Sequence, residues 1–386
     1  MPGPIPTPFT VRVPDAVLAD LRERLARARW PDEPPGAGWR YGTDLAYVQE
    51  LCAYWRNGYD WRRHEAVLNG FRQFSVPLAG IDLHFIHEVG RGPAPLPLLI
   101  SHGWPGSVWE FHRIIPMLTD PARFGGDPAD AFTVVAPSLP GYGFSFRPNQ
   151  PRLGVPEMAK AFASLMTDVL GYRRFGAQGG DWGCFITSRL AVDVPDRLAG
   201  IHLNLMPLRR DPTRLDNPTP DEVRYQEQLA HWLREETGYQ AIQGTKPQTL
   251  AYGLTDSPVG LAAWIVEKFR TWSDCGGDVE RRFTRDDLLT NITIYWATAA
   301  IGSSFWPYYA RIHDGWPLPD RARIEVPTGY AAFPREILTP PRAWAERAFN
   351  ITRWTAMPAG GHFAAMEEPE ALAGEIRAFF RDLRAT

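Results

Sequence analysis

The chain has 386 residues, 44% apolar and 22% charged, which suits one large α/β domain carrying an insertion, or two domains, and excludes a disordered chain. A net charge of −3 leaves no electrostatic footprint for nucleic acid or an anionic membrane surface. Three widely spaced cysteines, Cys52, Cys184 and Cys275, fit neither a disulfide framework nor a zinc site.

The opening "MPGPIPTPFTVRVPD" has no basic start followed by an apolar run, and no stretch approaches the roughly 18 apolar residues that span a bilayer. The expectation is a cytoplasmic chain without membrane contact. "DAVLADLRERLARARW" from Asp15 repeats apolar residues at helical spacing behind an aspartate cap, and a second helix, "DLAYVQELCAYWRNGYDW", starts at Asp44. Residues 1–75 contain no strand run and should pack onto something larger. From Phe71 the period changes: "FRQFSVPLAGIDLHFIHEV" alternates around Pro77–Gly80 as a β-hairpin would. Short apolar runs then alternate with helical segments: "LPLLI" before His102, "FTVVAPS" at 132–138, "RRFGAQ" at 173–178 and "GIHLNLM" at 200–206. Strands spaced by helices argue for a mostly parallel sheet. After the sixth strand, about a hundred residues show helical spacing, many Trp and Tyr, and no clear strand. The strand signal returns in "ARIEVPTGYA" (322–331) and "ITRWTAM" (351–357), and "EPEALAGEIRAFFRDL" closes the chain as an amphipathic helix.

The stretch "FGAQGGDWGC" reads as the tight strand–turn–helix elbow on which nucleophiles are presented, with Asp181 at its tip and Gly179, Gly180 and Gly183 around it. The bland alternative for Asp181 is a helix N-cap. The remainder of a catalytic set follows in the order nucleophile, acid, base. His362, in "PAGGHFAAMEEPE", lies after the last strand and before the closing helix. Glu336, in "AAFPREIL", follows the preceding strand, whereas Asp314, Asp320 and Glu325 precede or lie within it. Two backbone N–H groups are needed for an oxyanion, one from Trp182 directly after the nucleophile and one from Trp104 in "SHGWPGS". His102 is read as shaping that loop. His84 and His87, three apart on one strand, point to opposite faces and make no metal pair. The sequons at Asn291 and Asn350 are read as chance.

A carboxylate at the tip suits displacement at an sp³ carbon bearing a strained or good leaving group. The product is an ester of Asp181 that water, deprotonated by His362, can hydrolyse. An epoxide oxygen and a halide both fit that logic. Epoxide opening also needs an acid for the departing alkoxide, and spacing alone does not choose among the 13 tyrosines.

The elbow "GGDWG", the loop "HGWPGS", "PSLPGYGFS" at 137–145, "GGHFAAMEEPE" and the N-terminal segment together resemble the epoxide hydrolases of the microsomal type, over nearly the whole chain. "DWG" alone also occurs in haloalkane dehalogenases. The resemblance implies an α/β-hydrolase fold, with a mostly parallel sheet, a helical cap insertion and an N-terminal extension. The expected division is an N-terminal meander at 1–75, a core at 76–206 and 316–386, and a cap at 207–315. It matches Glu336 to the family's "FP-x-E" acid. It also puts the two proton-donating hydroxyls on Tyr239, in "ETGYQAIQGTKPQ", and on Tyr308, in "FWPYYA", where a slip of one residue would select Tyr309. The implied reaction needs no cofactor or metal and converts a hydrophobic epoxide and water to a vicinal diol. A haloalkane dehalogenase on the same scaffold is the runner-up reading, and a noncatalytic ligand-binding homologue the third. Trp264, Trp272, Trp296 and Trp306 either line an apolar pocket or pack. The sequence is compatible with a homodimer and does not set the oligomeric state.

Overall fold

The computed structural model describes residues 4–209, 217–319 and 323–384. Its nine strands are β1 (Thr7–Pro8), β2 (Gln73–Leu78), β3 (Ile81–Glu88), β4 (Leu96–Ser101), β5 (Phe132–Pro137), β6 (Phe175–Gly179), β7 (Leu198–Leu203), β8 (Ile324–Ala332) and β9 (Phe349–Ala356). They form one sheet in the order β1-β2-β3-β5-β4-β6-β7-β8-β9. The pairs β1/β2, β2/β3 and β3/β5 are antiparallel and all others parallel. Ala79 (φ 54°) and Gly80 (φ 78°) turn the β2–β3 hairpin, both in the left-handed region that such tight turns require. Strands β5, β6 and β7 are buried along their whole length, as sheet interiors covered by helices on both faces must be. Helices Val155–Ser164 and Asp181–Asp193 pack together against the sheet, as do Ile114–Thr119 and Pro369–Arg381. They belong to two separate apolar cores, one containing Met158 and Ile186, the other Ile115 and Ile376.

The N-terminal region departs from expectation in three ways. It does contribute strand: β1 pairs with β2, which itself begins at Gln73, so the helical insertion follows the seventh strand rather than the sixth. Helix Asp15–Ala26 has Pro14 at its cap, and the Asp15 carboxylate instead accepts from the Arg62 guanidinium. The segment from Asp44 is two helices, Leu45–Asn57 and Trp61–Asn69, broken at Gly58; Asp44 does cap the first, accepting from Tyr47 N–H at 2.7 Å.

Between β7 and β8 the described residues are helical, with Pro220–His231, Gly238–Thr245, Pro247–Asp256, Pro258–Thr271, Arg285–Thr298 and Trp306–His313. The N-terminal helices dock on this insertion through Trp55 Nε1–H to Thr293 Oγ1 (3.0 Å) and Tyr54 O–H to Asp286 Oδ1 (2.8 Å). We propose residues 1–75, the insertion at 207–315 and the interrupted sheet domain as the three units of the chain. Asp320 and the first residue of the anticipated "ARIEVPTGYA" strand lie outside the described residues.

Candidate active site

Sheet register decides which loops meet. Strands β4 and β6 are parallel neighbours with Ser101 opposite Gly179, so the loop after β4 and the elbow after β6 leave the sheet side by side. Asp181 sits at φ 44°, a left-handed conformation unusual for a non-glycine residue, of the kind that functional turns hold under strain. The turn closes only over glycine: a Cβ on Gly183 would stand 2.0 Å from Ser101 O, and one on Gly103 2.2 Å from Asp181 Oδ1. The N-cap of the following helix is Gly180, and no side chain caps it. The Asp181 carboxylate therefore serves a different loop. Its Oδ1 accepts from Trp104 N–H at 2.7 Å. Among the described residues this is the one backbone donor bonded to it; the Trp182 N–H, on the first helical turn, makes no bond to the resting carboxylate.

The other half of the site comes from β8 and β9. The parallel bridge between Arg335 and Gly361 sets the following residues, Glu336 and His362, next to each other. His362 Nδ1 lies 2.5 Å from Glu336 Oε1, and Nε2 lies 3.3 Å from Asp181 Oδ2. Burial disfavours the imidazolium, but the Glu336 and Asp181 carboxylates override it and push His362 up to about 10. Cap residues fix the histidine loop: His362 N–H donates to Trp272 O at 2.9 Å, and Gly360 N–H to Asp274 Oδ2 at 3.1 Å. His102 ties loops together, accepting at Nε2 from Leu139 N–H (3.1 Å) while its Nδ1 faces Gly103 O (3.0 Å).

Tyr239 and Tyr308 meet above the elbow. Their ring centroids are 5.6 Å apart, the Tyr239 ring stacks on Trp104 at 5.2 Å, and Tyr308 stands edge-on to Trp182 at 4.8 Å. The Tyr308 hydroxyl is buried and, among the described residues, has no placed hydrogen bond, and burial raises it well above the ordinary phenol value. Tyr309 turns the other way, stacking on Trp306 (5.0 Å) and lying tilted against His313 (4.0 Å), whereas Tyr308 is the member of the pair that feels the Asp181 charge. The loop after β4 is gripped from the cap as well. Asn291 Nδ2–H donates to Pro105 O (2.8 Å), Ser107 O–H to Asn291 Oδ1 (2.8 Å), and Tyr295 O–H to Gly106 O (2.7 Å). The Asn291 sequon is thus a buried brace.

A groove of about 1230 Å³ touches the site at Tyr239 and Glu336, with Trp39, Trp232, Trp264 and Trp272 lining it beside charged residues such as Glu267, Lys268 and Arg270. Of the four tryptophans singled out from the insertion, Trp264 and Trp272 line it. Trp296 instead sits under Arg24, 5.8 Å from its ring, and Trp306 packs on Tyr309. Sequence reasoning missed Lys268, a buried cation held 4.8 Å from the Tyr239 ring centroid and paired with Glu267. It also missed Glu110, the lone acid of the apolar run "VWEF", whose carboxyl group folds under Gly106. Among the described residues no cluster of His, Cys, Asp and Glu could hold a metal ion, and no helix is long and apolar enough to cross a membrane.

A mostly parallel sheet with helices on both faces, and an elbow at the carboxyl end of a central strand, defines an α/β-hydrolase fold, and residues 97–251 match the model of the alpha/beta hydrolase fold. Residues 6–111 match the model of the epoxide hydrolase N terminus. The chain is 43% identical to a putative epoxide hydrolase of Stigmatella aurantiaca, over 98% of this chain and 86% of that protein. It is 39% identical to epoxide hydrolase 1 of Oryctolagus cuniculus, over 96% and 88%. The juvenile hormone epoxide hydrolase of the silkworm Bombyx mori superposes with a TM-score of 0.87 at 31% identity, covering 98% of this chain and 95% of that one. The chain belongs to the epoxide hydrolase family, and it is a hydrolase of that class.

Proposed function

We propose that the protein adds water to a hydrophobic epoxide and releases a vicinal diol, through a covalent ester on Asp181. The observation that carries this reading is the position of one carboxylate. Asp181 is held by the Trp104 N–H at Oδ1, faces His362 Nε2 with Oδ2, and lies near the buried Tyr308 hydroxyl, which no placed hydrogen bond holds among the described residues. Oδ2 attacks a ring carbon, the carbon–oxygen bond of the epoxide breaks, and the alkoxide takes a proton from a phenol of the Tyr239–Tyr308 pair. Ester formation removes the charge that helped hold the His362 imidazolium, and the phenolate left by ring opening is the base that receives its proton. Neutral His362, oriented by Glu336, then deprotonates water as it attacks Cγ of Asp181. The oxyanion develops on Oδ1, where Trp104 already donates and where the Trp182 N–H is the second donor. Collapse expels the diol oxygen, which takes the proton back from His362.

Within a groove that also carries Glu267, Lys268 and Arg270, the rings of Trp232, Trp264 and Trp272 offer the apolar face for a substrate body. A panel of aryl, terpenoid and fatty epoxides, run beside haloalkanes with products identified, tests the reading. Diols without halide release are expected. Halide release without diol would replace this assignment with a dehalogenase.

A further inference from the structure

Behind the elbow, on the side of the histidine, lies a second and much smaller space. It is a cavity of about 20 Å³, lined by Ser101, Glu110, Asp181 and His362 among others. A buried water needs roughly 10–15 Å³ and two to four polar partners, so this cavity has room for one molecule. Most of the other polar groups lining it are already committed. Gln178 Nε2–H donates to Asn204 Oδ1 at 2.8 Å, and both ring nitrogens of His102 face backbone groups. The Ser101 hydroxyl is different, being buried and, among the described residues, without a partner. Glu110 also reaches in, its carboxyl group accepting from the Gly103 N–H. Its Oε1 occupies the place a side chain at position 106 would take, 1.4 Å from an ideal Cβ there, so glycine at 106 is what lets this carboxyl group reach inward.

We propose that Glu110, with His362, holds the hydrolytic water in this cavity and aims it at Cγ of the alkylated Asp181. The inference rests on the ester reading above and adds the residue that orients its second step. Burial raises the Glu110 carboxyl group to about 8, with the His362 imidazolium opposing and the Asp181 carboxylate adding to the rise. Near neutrality it can therefore donate to a water or accept from one, which a carboxylate alone cannot do. The water gives one proton to His362 as its oxygen bonds Cγ, and Glu110 keeps its own, so no charge is moved onto it. Its role is that of a positioning residue.

Rapid-quench single turnovers of the full chain on a reactive aryl epoxide separate alkylation from ester hydrolysis. Glu110→Gln should alkylate within about twofold of the wild-type rate but hydrolyse the ester on the order of 10²-fold more slowly, as a misaimed nucleophile does, so that ester accumulates in the steady state. A merely structural defect would slow both steps together, and that result, or wild-type hydrolysis, overturns the proposal. Should Glu110→Gln not fold, Glu110→Asp, which withdraws the carboxyl group by one methylene, must show the same split. His362→Gln serves as the reference: if it traps no ester, the covalent reading itself has failed, whereas ester there and unaltered hydrolysis in Glu110→Gln sinks this inference alone.

Discussion

The floor and the ceiling of the site are built in opposite ways. On the floor, Asp181, Glu336 and His362 hang from strand ends whose register is set by backbone hydrogen bonds, and each has a partner at hydrogen-bonding range. On the ceiling, Tyr239 and Tyr308 come from two helices joined away from the site by Arg311 Nη2–H to Gln240 Oε1 (2.7 Å); over the site the two tyrosines meet as packed rings, and among the described residues no placed hydrogen bond holds the Tyr308 hydroxyl. The difference matches what each part has to do. The charged groups must be aimed before substrate arrives, while an acid for a departing oxygen is most useful if its hydrogen is not already committed.

The contrast can be broken first at the floor. His362→Gln keeps the carboxylate nucleophile and removes the base. Turnover should fall on the order of 10³-fold, with an adduct of intact substrate mass on the peptide containing Asp181; a mass spectrum without it would count against the assigned roles. At the ceiling a smaller effect is expected. Tyr308→Phe should slow ring opening on the order of 10²-fold and leave hydrolysis of a preformed ester unchanged, while Tyr309→Phe should alter neither step. Equal losses in the two variants would mean that the hydroxyl facing Asp181 has no special part. Because burial lifts Tyr308 well above its ordinary value, ring opening should show no loss from phenol ionisation up to about pH 10.

The smallest effect concerns stability. The imidazolium between Glu336 and Asp181 stabilises the fold fully below the ordinary histidine value of 6.5, and that stabilisation is lost as pH rises through about 10. Thermal midpoints should therefore drop between pH 7 and pH 10 in the wild type and drop less in His362→Gln. Parallel curves for the two proteins would deny the ion pair.

The same contrast governs how much was legible in the sequence. The floor could be read because an elbow needs glycines at fixed offsets and because chain order maps onto strand ends: Gly183, Asp181 and His362 announce themselves locally. Glu336 was less distinct, since its place beside His362 depends on the Arg335–Gly361 bridge between distant segments. The ceiling had no local signature. A helix with Tyr308 and Tyr309 in succession does not reveal which ring faces the core, and only the family resemblance selected one. Glu110 was invisible for a related reason, because an acid inside an apolar run becomes meaningful only when Gly106 leaves room for its carboxyl group. The missed strand Thr7–Pro8 is two residues long, too short for any period to show.

That the oxygen added to substrate comes from Asp181 is tested most directly by a single turnover in ¹⁸O-water with enzyme in excess. The first diol released should be free of heavy oxygen, with the label recovered in the carboxyl group of Asp181. Heavy oxygen in that first diol would mean that water attacks the substrate itself and that no ester forms.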